Sequence, residues 1–345
     1  MTLHSEIHEQ PERLRALLRS QRARVKEIAA AIRARDVQYV FLAARGTSDN
    51  AGRYANYLWG AMNGLPVALA TPSLFTYYKQ PPTLRNALVI GISQSGQSPD
   101  IVSVMAEGRR QGCLALAVTN APDSPLAGTA DFVLDIQAGP ELAVAATKTY
   151  TAELLSLAML SAALAGSSQA WKDLARLPAW TSTALKQDKF IAQAAQRYRY
   201  MRQCVVLGRG YNYATAYEWA LKLKELTYVS AEPYSSADFQ HGPIAMVEKG
   251  FPVLAVAPAG RVFDSMLELL GQLRKEVSAE LVVISNLKMA LSLANVPIPI
   301  PVDIPEWLSP LVSIIPAQLF AYHLTVAKGH NVDQPRTISK VTETR

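Results

Sequence analysis

Apolar residues follow two alternating rhythms along the chain. Between Arg13 and Arg35 they recur at helical spacing (Leu14, Leu17, Val25, Ile28, Ile32) with Lys and Arg between them, which predicts helix with a solvated basic face. The short continuous apolar run Tyr39–Ala43 then gives way to the polar turn Arg45-Gly46-Thr47-Ser48 and a helix-like stretch, Asn50–Met62. Further apolar runs at Ala87–Ile92, Leu114–Val118 and Phe132–Ile136 are separated by helix-like segments, so the pattern predicts βαβ units and a parallel sheet.

The plan then repeats. Cys204–Leu207 reads as a new first strand, followed by the turn Gly208-Arg209-Gly210, a long helix from Tyr213, and strands at Val253–Ala257 and Leu281–Ile284. Helical spacing in Trp171–Tyr200, interrupted only by Pro178, predicts a helical connector between the halves. The Pro- and Ile-rich stretch Asn295–Pro310 reads as extended or loop-like, and Leu311–Lys328 as a last buried helix. The expected organisation is an N-terminal helical segment (1–35), a first α/β unit (36–170), a helical connector (171–200), a second α/β unit (201–330) and a tail (331–345). Open parallel sheets bind ligands at the carboxyl ends of their strands, so the turns after Ala43, Ile92 and Leu207 are where chemistry is expected.

A chain of 345 residues, half of them hydrophobic, has enough apolar side chains for two ordinary cores. The longest apolar runs, such as Leu154–Ala165, fall short of the roughly 20 residues of a membrane span, so no membrane association is expected. The opening MTLHSEIHEQPERLRALL lacks the apolar stretch of a secretory signal, which places the protein in the cytoplasm. Cys113 and Cys204 each lie in an apolar run and read as core side chains. A net charge of +6, scattered among acids without interleaved aromatics, does not describe a nucleic-acid groove and suits a small anionic ligand.

The strongest local signal is Gly91-Ile-Ser93-Gln94-Ser95-Gly96-Gln97-Ser98-Pro99-Asp100, which sets three hydroxyls and two amides between a buried strand and a helix start. Freed backbone N–H groups, the helix dipole and neutral Ser donors together suit a phosphate; the same run also describes a capped helix after a Ser-rich surface loop. It is not a nucleophile elbow, since the G-x-S-x-G spacing fails at Ser95, and the turn at Gly208 carries the bulky Tyr213 where a dinucleotide fingerprint needs a small residue. Glu218, Lys222 and Glu225 fall on one helical face, as an exposed salt-bridge ladder would, or as a general base held by a lysine. His241 in the turn FQHGP offers an imidazole suited to opening a sugar ring, whereas His4, His8, His323 and His330 have no comparable company. Neither a metal nor a redox cofactor is expected.

Taken together, these stretches resemble the sugar isomerase (SIS) domain family, most closely the isomerase half of glucosamine-6-phosphate synthase, from about Val37 to Glu343. The matching pieces are Gly46-Thr47-Ser48, Ser93-Gln94-Ser95-Gly96, ELAVAAT (Glu141–Thr147), ALKLKE (Ala220–Glu225), His241-Gly242-Pro243, and VDQPR (Val332–Arg336) with Lys340 beyond. The resemblance implies two tandem SIS-type units, each a doubly wound parallel sheet flanked by helices in a flavodoxin-like three-layer sandwich. It further implies that Ser93, Gln94, Ser95 and Ser98 bind phosphate, and that Thr47, Ser48, Ala146 and backbone near Val144 line the sugar. Glu225, beside Lys222, would move a proton between C1 and C2; His241, donated across a homodimer, would open the ring; Lys340 would sit at the sugar carbonyl as a Schiff-base amine.

Arg45 stands where the synthase has cysteine and Ala146 where it has serine, and the chain opens on a helix rather than a glutaminase domain, so ammonia release from glutamine is not expected of it. The stretches ARGTSD and SQSGQSPD look like the stand-alone glucosamine-6-phosphate deaminases of this family, which implies conversion of glucosamine 6-phosphate and water to fructose 6-phosphate and ammonia. The alternatives are an ammonia-dependent or partner-fed isomerase of the aminotransferase type, a fructosamine-6-phosphate deglycase, a galactosamine-6-phosphate deaminase and, in another class, a non-catalytic sugar-phosphate sensor.

Overall fold

The computed structural model describes residues 2–340, so the last five residues of the expected tail lie outside the described residues. The chain forms two compact units that interleave in sequence: one holds residues 12–141, 148–175 and the tail from Ser339, the other residues 2–11, 142–147 and 176–338.

The first unit is built on β1 (Tyr39–Ala43), β2 (Val67–Leu69), β3 (Ala87–Ile92), β4 (Leu114–Thr119) and β5 (Phe132–Asp135). All neighbours are parallel in the order β2-β1-β3-β4-β5, with Val40 level with Leu88 on one side and Val67 on the other. Every residue of β3 and β4 is buried, which is why these strands read as continuous apolar runs rather than alternating ones. The helix Gly46–Asn63 buries Ala51, Tyr54, Leu58 and Trp59, and the Trp59 indole donates to the Leu157 carbonyl (3.2 Å) of the helix Lys148–Leu164.

The second unit repeats the arrangement with β6 (Gln203–Gly208), β7 (Ser230–Ser235), β8 (Pro252–Val256), β9 (Glu280–Ser285) and β10 (Val296–Pro299), again all parallel, in the order β10-β9-β8-β6-β7. Counted from its own first strand, each sheet therefore runs second, first, third, fourth, fifth, the doubly wound order with its reversal beside the first strand. The two-fold use of one α/β plan, expected from the sequence, is what the chain adopts.

One expectation needs correction. The helical stretch Glu306–Ala327 is long and apolar enough, by length and composition, to cross a membrane, although the sequence reading found no such segment. Pro310 and Pro316 break it to the eye, yet the chain is helical through both. Of its most apolar window, 83% is buried inside the protein. Phe320 packs on Trp219 and Tyr198 with ring centroids 5.7 and 5.6 Å apart, making it the core helix of the second unit.

Candidate functional site

In the first unit the topological reversal lies between β1 and β3, so the turns leaving those strands, Arg45–Ser48 and Ser93–Ser98, flank the crevice where such sheets hold ligands. The Ser turn is held from below by the connection after β4. Asn120 N donates to the Gln94 carbonyl (3.2 Å) and Leu126 N to the Gly96 carbonyl (3.1 Å). Gly96 sits at φ +62°, and a Cβ there would lie 2.0 Å from Ser124 Oγ, so conformation and space both require glycine.

Within the turn, Ser93 Oγ accepts from Gly96 N (3.1 Å) and Ser95 Oγ from Gln97 N (3.3 Å). The hydroxyl protons of Ser93, Ser95 and Ser98 donate to no protein acceptor among the described residues. Ser98 is the N-cap of the helix Pro99–Arg110 but makes no side-chain cap bond. Three hydroxyl donors and the positive end of a helix dipole are thus available to an anion.

The Arg45–Ser48 turn is wired more tightly than its sequence suggests. Arg45 Nε donates to Asp100 Oδ2 (2.7 Å), tying this turn to the first turn of the helix that follows the Ser run; the Asp100 side chain is fully buried, while the Arg45 side chain is half exposed. Ser48 is buried and its hydroxyl donates to Glu153 Oε1 (2.8 Å), while Thr47 is half-buried on the same helix start. In the same unit, Lys340 Nζ donates to Glu141 Oε2 (2.6 Å), whose side chain is fully buried and also accepts from Thr149 N and Oγ1 (3.1 and 2.8 Å).

In the second unit Glu225 and Lys222 lie on the helix Tyr213–Thr227. Lys222 Nζ is 2.5 Å from Glu225 Oε2 and 3.4 Å from Glu218 Oε1. The side chains of Lys222 and Glu218 are 1% and 0% exposed, against 23% for Glu225. An exposed ladder is therefore excluded: an ammonium taken out of water needs acidic partners, and only Glu225 shows an edge to solvent. Beyond this helix Tyr228 turns the chain at φ +57°, its hydroxyl accepts from Arg336 N (2.9 Å), and the Arg336 guanidinium lies 3.9 Å from its ring centre. The 142–147 loop belongs to this unit, where Val144 N donates to the Asp333 carbonyl (3.4 Å), Leu142 N and Ala143 N donate to Glu6, and Ala146 is half-buried.

His241 is exposed at the end of the short helix Ser236–Gln240, and its imidazole has no partner among the described residues; the fold does not pair it with Glu225. The remaining histidines are not isolated as the sequence reading had them: His4, His8 and His323 gather around Asp188, and His330 packs on Tyr228 at 4.8 Å. Cys113 and Cys204 are buried, and burial pushes the Cys204 thiol up to about 12, far from a reactive thiolate. A cleft of about 420 Å³ opens at the opposite, amino end of the first sheet between Arg35, Asn86 and Gln111; Cys113 lines it, but none of the candidate binding or catalytic residues does.

Sequence reasoning missed the acidic half of each pair. Asp100, Glu153 and Glu141 anchor Arg45, Ser48 and Lys340. An acid inside an apolar helix, as Glu153 is in TYTAELLSLAML, was the one signal that could have marked them.

The SIS domain model matches residues 35–163 and 198–328, one stretch for each sheet. The glutamine–fructose-6-phosphate aminotransferase (isomerizing) of Gloeobacter violaceus is 35% identical over 97% of the chain, and the chain spans only 57% of that relative's length. Among solved structures, the C-terminal domain of glucosamine-fructose-6-phosphate aminotransferase from Francisella tularensis superposes with a TM-score of 0.87 at 29% identity, covering 97% of this chain and 98% of that one. The glucosamine-6-phosphate deaminase of Thermotoga maritima superposes with a TM-score of 0.83 over the whole of both chains, but at 20% identity it speaks for the fold alone. With both sheets matched and three quarters of its length accounted for, the chain belongs to the SIS domain family and carries two copies of that domain.

Proposed function

We propose that the protein interconverts an amino-sugar 6-phosphate and its ketose phosphate, acting on glucosamine 6-phosphate and water to give fructose 6-phosphate and ammonia. The observation that carries this reading is the state of Glu225, a carboxylate with one edge open to solvent and the other held 2.5 Å from a buried lysine. A base so fixed is suited to removing a proton from carbon beside a carbonyl. In this reading the Ser93, Gln94, Ser95 and Ser98 turn takes the phosphate, which is remote from the reacting carbons and serves as an anchor.

His241 assists ring opening and yields the open-chain aldehyde. Glu225 takes the C2 proton while the C1 carbonyl oxygen takes one up, giving an enolamine, and delivery of the proton from Glu225 to C1 leaves a protonated ketimine at C2. Water adds to that C=N bond, the nitrogen takes up a proton and leaves as ammonia, and the ketone remains. Lys222 positions Glu225, and Lys340 stands in reserve on Glu141 as the amine that meets the sugar carbonyl. In this reading His241, exposed and without a partner among the described residues, serves the neighbouring subunit of a homodimer.

A second reading is favoured by the names of the more similar relatives: the same proton shift run toward the amino sugar, with ammonia supplied by a partner. Incubating the pure protein with glucosamine, galactosamine and fructosamine 6-phosphates, and separately with fructose 6-phosphate plus ammonium, separates the two while ammonia and hexose phosphates are assayed. Ammonia release from glucosamine 6-phosphate is expected. No turnover of any hexosamine phosphate in either direction, with phosphosugar binding intact, would leave the sensor reading in its place.

A further inference from the structure

We propose that His4, His323 and Asp188, with His8 beside them, form a binding site for one zinc-class divalent cation. The residues come from three helices of the second-sheet unit: His4 and His8 from Thr2–Ser20, Asp188 from the first position of Asp188–Gln196, and His323 from Ser309–Ala327. His4 Nε2 lies 3.0 Å from Asp188 Oδ2, His323 Nε2 lies 2.5 Å from Asp188 Oδ1, and the three ligand atoms fall within 4.8 Å of one another. Imidazole nitrogens and a carboxylate oxygen at about 2.0–2.2 Å from a tetrahedral metal stand roughly 3.3 Å apart, so these atoms need to shift by only a fraction of that spacing to share one ion.

The helix supplies the next ligand by its own geometry. His4 and His8 are four residues apart and so lie one above the other on a single face. His8 Nδ1 is 3.0 Å from the His4 carbonyl. A carbonyl only accepts, so Nδ1 is the donor there and Nε2, 3.5 Å from Asp188 Oδ2, is the nitrogen left to bind an ion. That backbone bond orients the ring as outer-shell partners orient metal-bound histidines. Tyr322 packs tilted against His4 (ring centroids 4.8 Å apart) and edge-on against His323 (4.9 Å).

The side chains are between 16% and 37% exposed, open enough for an ion to enter yet fixed by packing. Two or three imidazoles with one carboxylate is a donor set for zinc, cobalt, nickel or copper rather than for magnesium or calcium, which take oxygen ligands. The ion would staple the N-terminal helix to the core helix and the connector of the same unit. It lies on residues to which the proposed reaction gives no part, so the site stands or falls independently of that reading.

The test uses untagged full-length protein stripped with chelator and desalted, titrated with zinc by calorimetry and with cobalt by visible absorption. One equivalent per chain, the visible bands of low-symmetry cobalt and a raised melting temperature with zinc are expected. His323→Gln and Asp188→Asn, checked as folded by circular dichroism, should each weaken zinc by more than about 100-fold. Absence of saturable binding in the parent protein, or binding of undiminished affinity in both folded variants, would overturn the proposal.

Discussion

Replacing Lys222 with methionine distinguishes a buried charge constellation from a decorative one. Methionine keeps most of the volume of the lysine stem, so packing around the helix Tyr213–Thr227 changes little. What is lost is the ammonium 2.5 Å from Glu225 and 3.4 Å from the wholly buried Glu218. Glu225 can turn its open edge to water, but Glu218 cannot. Removing one partner of a buried ion pair costs about 3–5 kcal/mol, whereas removing one from an exposed ladder costs about 0–1 kcal/mol. For a cooperative unit of this size each kcal/mol moves the melting temperature by about 2–4 °C, so Lys222→Met should melt roughly 6–20 °C below the parent. Denaturant unfolding followed by tryptophan fluorescence gives the free energy, with Trp219 on the same helix as reporter. Adding Glu218→Gln to Lys222→Met should return much of the loss, since the buried charge then disappears with its partner. A single-variant loss below about 1 kcal/mol, or no recovery in the double variant, would refute the burial argument.

Ser95→Ala should raise KM for a hexose 6-phosphate more than it lowers kcat, because a phosphate grip distant from the reacting carbons contributes uniform binding; a kcat effect alone would contradict this in steady-state kinetics. Gly96→Ala forces a Cβ into Ser124 at φ +62°, and its strain of about 1–2 kcal/mol or more should weaken phosphosugar binding about tenfold by calorimetry; unchanged affinity would remove the turn from the anion site. Burial raises the Cys204 thiol from about 9 to about 12 and the Tyr198 phenol upward as well, chiefly by desolvation. The unfolded chain therefore releases these protons first as pH rises, so stability is fully present below about pH 9 and falls between about 9 and 12; a flat denaturation midpoint over that range, or fast thiol labelling of the native protein at pH 8, would contradict it.

The central strands were legible because β3, β4, β8 and β9 are buried throughout and are written mostly in apolar residues, the buried Glu280 at the start of β9 being paired with Arg197. The edge strands β2, β7 and β10 were not. With one neighbour each, they tolerate Pro233 in SAEPYS and Pro297 and Pro299 in VPIP, which read as loop. The Ser turn was visible as a composition between a strand and a helix, whereas its support by Asn120, Ser124 and Leu126 was not. The state of Glu225 was not, because three charges on one helical face look the same whether that face meets water or a core. Most hidden were pairs separated far along the chain: Lys340 with Glu141, Arg45 with Asp100, and the three histidines around Asp188. No periodicity marks such partners, and only the folding of each unit brings its own pair or cluster together.

The account rests on a carbon-bound proton passing through Glu225. The most direct measurement is deuterium wash-in: glucosamine 6-phosphate or fructose 6-phosphate incubated with the protein in heavy water and followed by proton NMR at C1 and C2. The parent protein should exchange one of these hydrogens, and Glu225→Gln should bind the phosphosugar with similar affinity while exchanging it at least about 100-fold more slowly. Exchange at the parent rate in Glu225→Gln would contradict the central claim.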